Sequence, residues 1–289
     1  MIENIKIRKK LSILRIISLM ILLHSHGVLT FANNWKGKPS LWKDYQRFDF
    51  KVGEKACYVV VPRKPASEKF WVWRARFPGY HSEADVLLLD RGFHIAYINT
   101  NGMLGSPHAM KHWDEFYETM TQQHGLASKV ALEAVSRGGL FVYRWAARHP
   151  DRVACIYADV PVCDFKSWPL GQGRGIGDQK TWQNLLKQYG FTEVQALAYR
   201  KNPIDVLAPI AKAKIPLLHI VTMNDRIVPP SENTLILAER YRSFGGAIEV
   251  IEIEKGPRVK GHHFDHPNPI RVADFIQKHA QQKNLPSFE

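Results

Sequence analysis

Ala131-Leu132-Glu133-Ala134-Val135-Ser136-Arg137-Gly138-Gly139-Leu140 is the stretch that decides the reading of this 289-residue chain. An apolar run of strand character ends on a serine and continues, with no intervening loop, into a segment of helical spacing. So tight a strand-to-helix turn forces its central residue into a strained backbone conformation and lifts the side chain to the top of the sheet. Strand and helix can approach only if the residues two before and two after the turn are small, and Ala134 and Gly138 stand at those places. The amides that open the helix then point toward the serine oxygen, where they favour developing negative charge. A serine that merely capped a helix would need none of these companions.

Outward from this turn, the chain alternates between strand-like and helix-like segments. Strands are expected at 46–52, 56–62, 70–75, 93–99, 130–135, 153–158, 216–222 and 248–254, with Gly53-Glu54 closing an opening hairpin. Helices are expected at 82–91, 106–124, 137–148, 180–190, 192–199, 231–244 and 267–281. Strands joined by crossover helices require a mostly parallel sheet covered on both faces. The fold class is therefore α/β, with eight strands. The longest departure from alternation, residues 164–212, is expected to form a small cap over the carboxyl ends of the strands, where open α/β sheets bind ligands.

The string Ser136-Arg137-Gly138-Gly139 resembles the nucleophile turn of the α/β-hydrolase superfamily. It is similar to that of prolyl-oligopeptidase-type hydrolases and of secreted bacterial carbohydrate esterases, glucuronoyl esterases among them. The usual signature is G-x-S-x-G, and Ala134 departs from it at the first position. The resemblance covers residues 46–281 and implies a Ser-acid-His triad in that chain order. After the seventh strand, Asp225-Arg226-Ile227-Val228-Pro229 resembles the superfamily's D-x-x-V-P, which makes Asp225 the expected acid; Asp159 at the end of the sixth strand is the rival, and Asp164 a weaker one. After the eighth strand, Gly261-His262 resembles the superfamily's Gly-His, so His262 is the expected base, with His263 and then His266 behind it. Three His and one Asp so close together would also suit a metal, but no second ligand cluster stands out, and neither a metal nor a cofactor is expected.

A tetrahedral intermediate needs two backbone amides. One is expected from Arg137 and the other from the loop after the third strand, at Arg76 or Phe77. Arg74 and Arg76, two apart in an extended chain, would share a face and with Arg137 either make a cationic mouth for a carboxylated substrate or form salt bridges to nearby acids. Trp168, Trp113 and His108 are expected over the same face, where aromatic rings either stack on a sugar or form the core of the cap.

Residues 1–32 read as a secretory signal peptide: a basic head (Lys6, Arg8, Lys9, Lys10, Arg15), an apolar run from Ile16 to Leu23 too short to span a bilayer, and Thr30-Phe31-Ala32 as cleavage site. Without them the formal charge falls from +13 to +9, still basic enough to draw polyanions. The Lys and Arg residues are scattered and no nucleic-acid motif is present. Cys57, Cys155 and Cys163 are too few to staple the fold; Cys155 and Cys163 either pair or stay as buried thiols. The expectation is thus a secreted or periplasmic serine esterase of residues 33–289 acting on a small-molecule or polysaccharide ester, acidic in character, and not held at the membrane. The alternatives are a peptidase of prolyl-oligopeptidase type and a binding protein on a hydrolase scaffold. No feature sets the oligomeric state.

Overall fold

The computed structural model describes residues 35–282; the expected signal peptide lies outside them. Among the described residues no helix is long and apolar enough to cross a membrane.

Two antiparallel hairpins open the chain. Strand β1 (Lys38–Trp42) turns into β2 (Tyr45–Val52), and Val52 pairs with Lys55 as β2 turns into β3 (Lys55–Val61). There follow β4 (Trp71–Arg74), α1 (Glu83–Asp90), β5 (His94–Ile98), α2 (Pro107–Glu118), β6 (Val130–Val135), α3 (Gly139–Arg148) and β7 (Val153–Asp159). The long connection after β7 holds α4 (Gln179–Tyr189), α5 (Glu193–Ala198) and α6 (Ala208–Lys212). The chain then returns through β8 (Leu217–Thr222), α7 (Thr234–Ser243), β9 (Ile248–Ile253) and α8 (Pro269–Ala280).

The sheet has nine strands in the order β1-β2-β3-β5-β4-β6-β7-β8-β9, antiparallel as far as β5 and parallel beyond it. The ninth strand corrects the expected eight. Strand β1 escaped the reading because it is an edge strand, exposed along nearly its whole length, so it carries no alternation of apolar and polar residues. Strands β4, β6, β7 and β8 are buried at every position, as continuous apolar runs in a sheet covered on both faces should be.

On one face α1 and α8 pack together, with Leu88, Leu89, Val272 and Ile276 against Val72, Ala131, Tyr157 and Leu218. On the other, an aromatic stack fills the space under α2 and α3: Trp73 lies 4.2 Å from Trp113, and Trp113 lies 5.6 Å from Phe141. Trp113 is therefore a core residue, which corrects its expected place at the substrate face. The three cysteines are buried free thiols.

A buried ion cluster braces the middle of the sheet. Arg74 bonds Asp85, lies 3.1 Å from Glu133 and donates to the Tyr80 carbonyl at 2.5 Å. It is 1% exposed, which corrects its expected role at the substrate mouth: its guanidinium is spent on two carboxylates. Burial pushes both carboxyls up, Glu133 the further because Asp85 and Asp159 add to the effect.

Candidate active site

Ser136 sits where β6 ends and the helical turn into α3 begins, at φ +52°. A non-glycine residue in this region stores strain that only the surrounding packing can hold. The small residues do what the sequence requires of them. A Cβ on Gly138 would stand 3.4 Å from that of Ala134, and a Cβ on Gly139 would come within 2.5 Å of the Val162 carbonyl. The Ser136 carbonyl accepts from the Val162 amide at 2.8 Å, which pins the turn from below.

His262 Nε2 lies 3.0 Å from Ser136 Oγ, and its Nδ1 lies 2.6 Å from Asp225 Oδ2. With Nδ1–H donating to the carboxylate, Nε2 is left as the acceptor of the serine proton. Ser136, His262 and Asp225 are 9%, 6% and 4% exposed, so the hydrogen-bond chain is shielded from water yet opens on a pocket.

The supports of this chain come from its neighbours in sequence. The other oxygen of Asp225 accepts from the Ile227 and Val228 amides at 2.8 and 2.9 Å, which fixes the carboxylate's rotation. The turn after β8 and the histidine loop are bonded to each other: Arg226 N donates to Lys260 O at 3.0 Å, and Thr222 Oγ1 bonds Gly261 O. Gly261 adopts φ +92°, and a Cβ there would run into the Asn224 carbonyl. The glycine before His262 is thus required by this contact.

The rival residues make other contacts, and of them His263 lines the same pocket. His263 has its ring 5.2 Å from that of Tyr80, with its proton affinity lowered by burial and by the neighbouring His262. Asp159 receives His81 Nδ1 at 2.8 Å and the Tyr157 hydroxyl at 2.6 Å; His266 donates to that same hydroxyl at 2.9 Å. Asp164 accepts from the amide of Lys166 in its own loop. Among the described residues no group of three or more His, Cys, Asp or Glu is arranged to hold a metal.

The pocket over Ser136 has a volume of about 310 Å³ and is walled by Phe77, Tyr80, Val160, Trp168, Ile176 and Ile227 around His262 and Arg137. Residues 164–178 roof it, tied to the acid's side by Asn233, which bonds the Cys163 amide, Ser167 and the Pro229 carbonyl. Trp168 lies where expected, with the Arg137 guanidinium 4.6 Å over its ring. Phe77 also faces the pocket, at φ +48°. His108 does not; it is exposed on α2 with its ring 4.8 Å from that of His112, which corrects its expected place at the substrate. Tyr80, Asp178 and Ile176 went unread in the sequence because they lie in loops without periodicity.

No family model matches the sequence, and a search of curated proteins finds no significant relative. Solved structures do match. An acylaminoacyl peptidase in complex with Z-Gly-Gly-Phe-chloromethyl ketone superposes with TM-score 0.60 at 16% identity, over 85% of this chain and 41% of that one. A puromycin-hydrolyzing peptidase from Mycobacterium tuberculosis gives 0.63 at 13%, over 85% and 41%. A putative dipeptidyl aminopeptidase IV from Bacteroides ovatus gives 0.59 at 15%, over 85% and 36%. The fold is that of the α/β-hydrolases. The chain spans about two fifths of the length of those structures, and its sheet is mostly parallel, as expected from the sequence.

Proposed function

We propose that the protein is a serine hydrolase that cleaves acyl bonds through an acyl-enzyme. The observation that carries this is the unbroken chain from Ser136 Oγ through His262 to Asp225, 3.0 and 2.6 Å long, opening on one pocket. His262 takes the Ser136 proton as Oγ attacks the carbonyl, and the oxyanion settles on the Arg137 amide and one from the 76–77 loop. The amides of Arg76 and Phe77 make no backbone hydrogen bond among the described residues, and of the two residues Phe77 faces the pocket. The leaving group departs with the proton from His262. Water then repeats the sequence on the acyl-enzyme, and Asp225 keeps the imidazole in the required tautomer throughout.

Of the substrates expected from the sequence, a peptide-type amide takes precedence over a polysaccharide ester. The structural neighbours are peptidases by name, whereas the carbohydrate ester rests on the resemblance of the Ser136 turn, the basic charge and the expected export. Export to the periplasm or the cell exterior belongs to the same proposal and rests on residues 1–32.

The test is turnover of a short-chain aryl ester and of an aminoacyl anilide by the full chain, beside Ser136→Ala and His262→Ala. Loss of about 10³-fold or more in kcat/KM in both variants is expected. Activity that survives Ser136→Ala would overturn the assignment, and the ratio of amide to ester turnover ranks the two substrate classes.

A further inference from the structure

Positive charge gathers at the pocket: Arg137 lines it, Arg76 lies beside it, and Asp178 in the wall offsets Arg137 only in part. The Arg137 guanidinium lies between Trp168, at 4.6 Å, and Phe77, at 5.7 Å; that of Arg76 lies on Phe77 at 4.3 Å. In both, Nε is buried and has no hydrogen-bond partner. Neither makes an ion pair among the described residues, in contrast to Arg74, which from the end of β4 takes two carboxylates. Burial lowers the proton affinity of both groups, and the charge of Arg76 lowers that of Arg137 further. The acid nearest Arg137 in the pocket wall is Asp178, beyond ion-pair distance and already accepting the Thr181 amide that opens α4. Two like charges held half-buried against the same ring are costly unless something of opposite charge arrives.

We infer that Arg76 and Arg137 form an anion subsite beside Ser136, and that the substrate carries a free carboxylate close to its scissile acyl bond. This rests on the acyl-transfer reading of the site. Stacking on Phe77 and Trp168 holds the guanidinium faces, and of their nitrogens only Nε is buried without a partner, so the terminal nitrogens are the donors that would take a carboxylate. Val135, Val160, Ile176 and Ile227 make an apolar stretch of the wall beside the polar Tyr80, Asp178, His262 and His263, so the charge would be read in a partly dry site. A uronic acid and the C-terminus of a short peptide both present this group.

The test compares p-nitrophenyl hemisuccinate with p-nitrophenyl butyrate, which differ chiefly in the terminal carboxylate. The full chain is expected to prefer the hemisuccinate at least about tenfold in kcat/KM, the factor that one charged hydrogen bond supplies. That ratio is expected to fall about tenfold in Arg137→Gln and in Arg76→Gln, and to shrink with added salt. Because the readout is a ratio within each variant, a general loss of rate cancels. Calorimetric binding of monomethyl succinate, which needs no turnover, should weaken in parallel. A ratio at or below one in the parent, or one unmoved by both substitutions, overturns the subsite. Binding that is lost in the variants of a parent inert to both esters upholds the subsite and overturns acyl transfer. Competition by glucuronate, and by a dipeptide with free or amidated C-terminus, identifies which molecule brings the carboxylate.

Discussion

His81 donates Nδ1–H to Asp159 at 2.8 Å and Nε2–H to the Phe264 carbonyl at 2.9 Å. Carbonyl and carboxylate oxygens both accept, so both contacts are made at once only when the ring carries both protons. It ties the end of β7 to the loop that carries His262. Burial by itself would lower the proton affinity of His81; the hydrogen bond and charge of Asp159, with the Phe264 carbonyl, outweigh burial and raise it. A histidine raised in the folded state contributes stability that is complete below its unfolded pKa of about 6.5 and is lost as pH rises through the higher folded value. The stability difference between the parent and His81→Gln is therefore expected to be largest at pH 5.5 and to shrink by pH 9 in urea titrations. A difference flat across that range would show that His81 is held neutral.

The same pairing separates the two acids. Asp225→Asn is expected to lower kcat/KM by about 10³–10⁴, since the amide no longer selects the imidazole tautomer that accepts the serine proton. Asp159→Asn leaves the Ser136–His262–Asp225 chain intact and should cost less than tenfold in kcat/KM while lowering the melting temperature. Equal losses of kcat/KM in the two variants would refute this division.

The two glycines after Ser136 are not equivalent. A Cβ on Gly138 meets other Cβ atoms at 3.4–3.5 Å, an ordinary contact, whereas on Gly139 it meets the Val162 carbonyl at 2.5 Å and Pro161 at 3.0 Å. Gly138→Ala should change stability by less than about 1 kcal/mol, helped by the lower freedom of alanine in the unfolded chain. Gly139→Ala should cost about 1–3 kcal/mol through overpacking. Urea midpoints decide, and a reversed order would mean that the turn relaxes differently from this geometry.

Removing the cation of the buried cluster strands two carboxyls. Arg74→Met is expected to destabilise by about 3–5 kcal/mol, and the triple change with Asp85→Asn and Glu133→Gln to recover much of that loss. A triple variant no more stable than Arg74→Met would mean that shape, not charge, is what Arg74 supplies.

The sequence by itself determined, among the described residues, eight of the nine strands, seven of the eight α-helices and the tight turn at Ser136, while the resemblance to the superfamily's motifs singled out Asp225 and His262. The elements and the turn follow from local constraints: apolar periodicity and the small residues that a close turn needs. Strand β1 was illegible, because an exposed edge strand has no core-facing pattern. Only the tertiary structure decided which charged and aromatic residues are free. Arg74 and Arg76 are two apart and read alike, yet one is consumed by Asp85 and Glu133 while the other lies on Phe77 without an anion. Trp113 and Trp168 read alike too, and one fills the core while the other lines the pocket. Asp159 is taken by His81, a residue 78 positions away in the chain. Pairing across such distances depends on which strands lie side by side, and no local pattern encodes that.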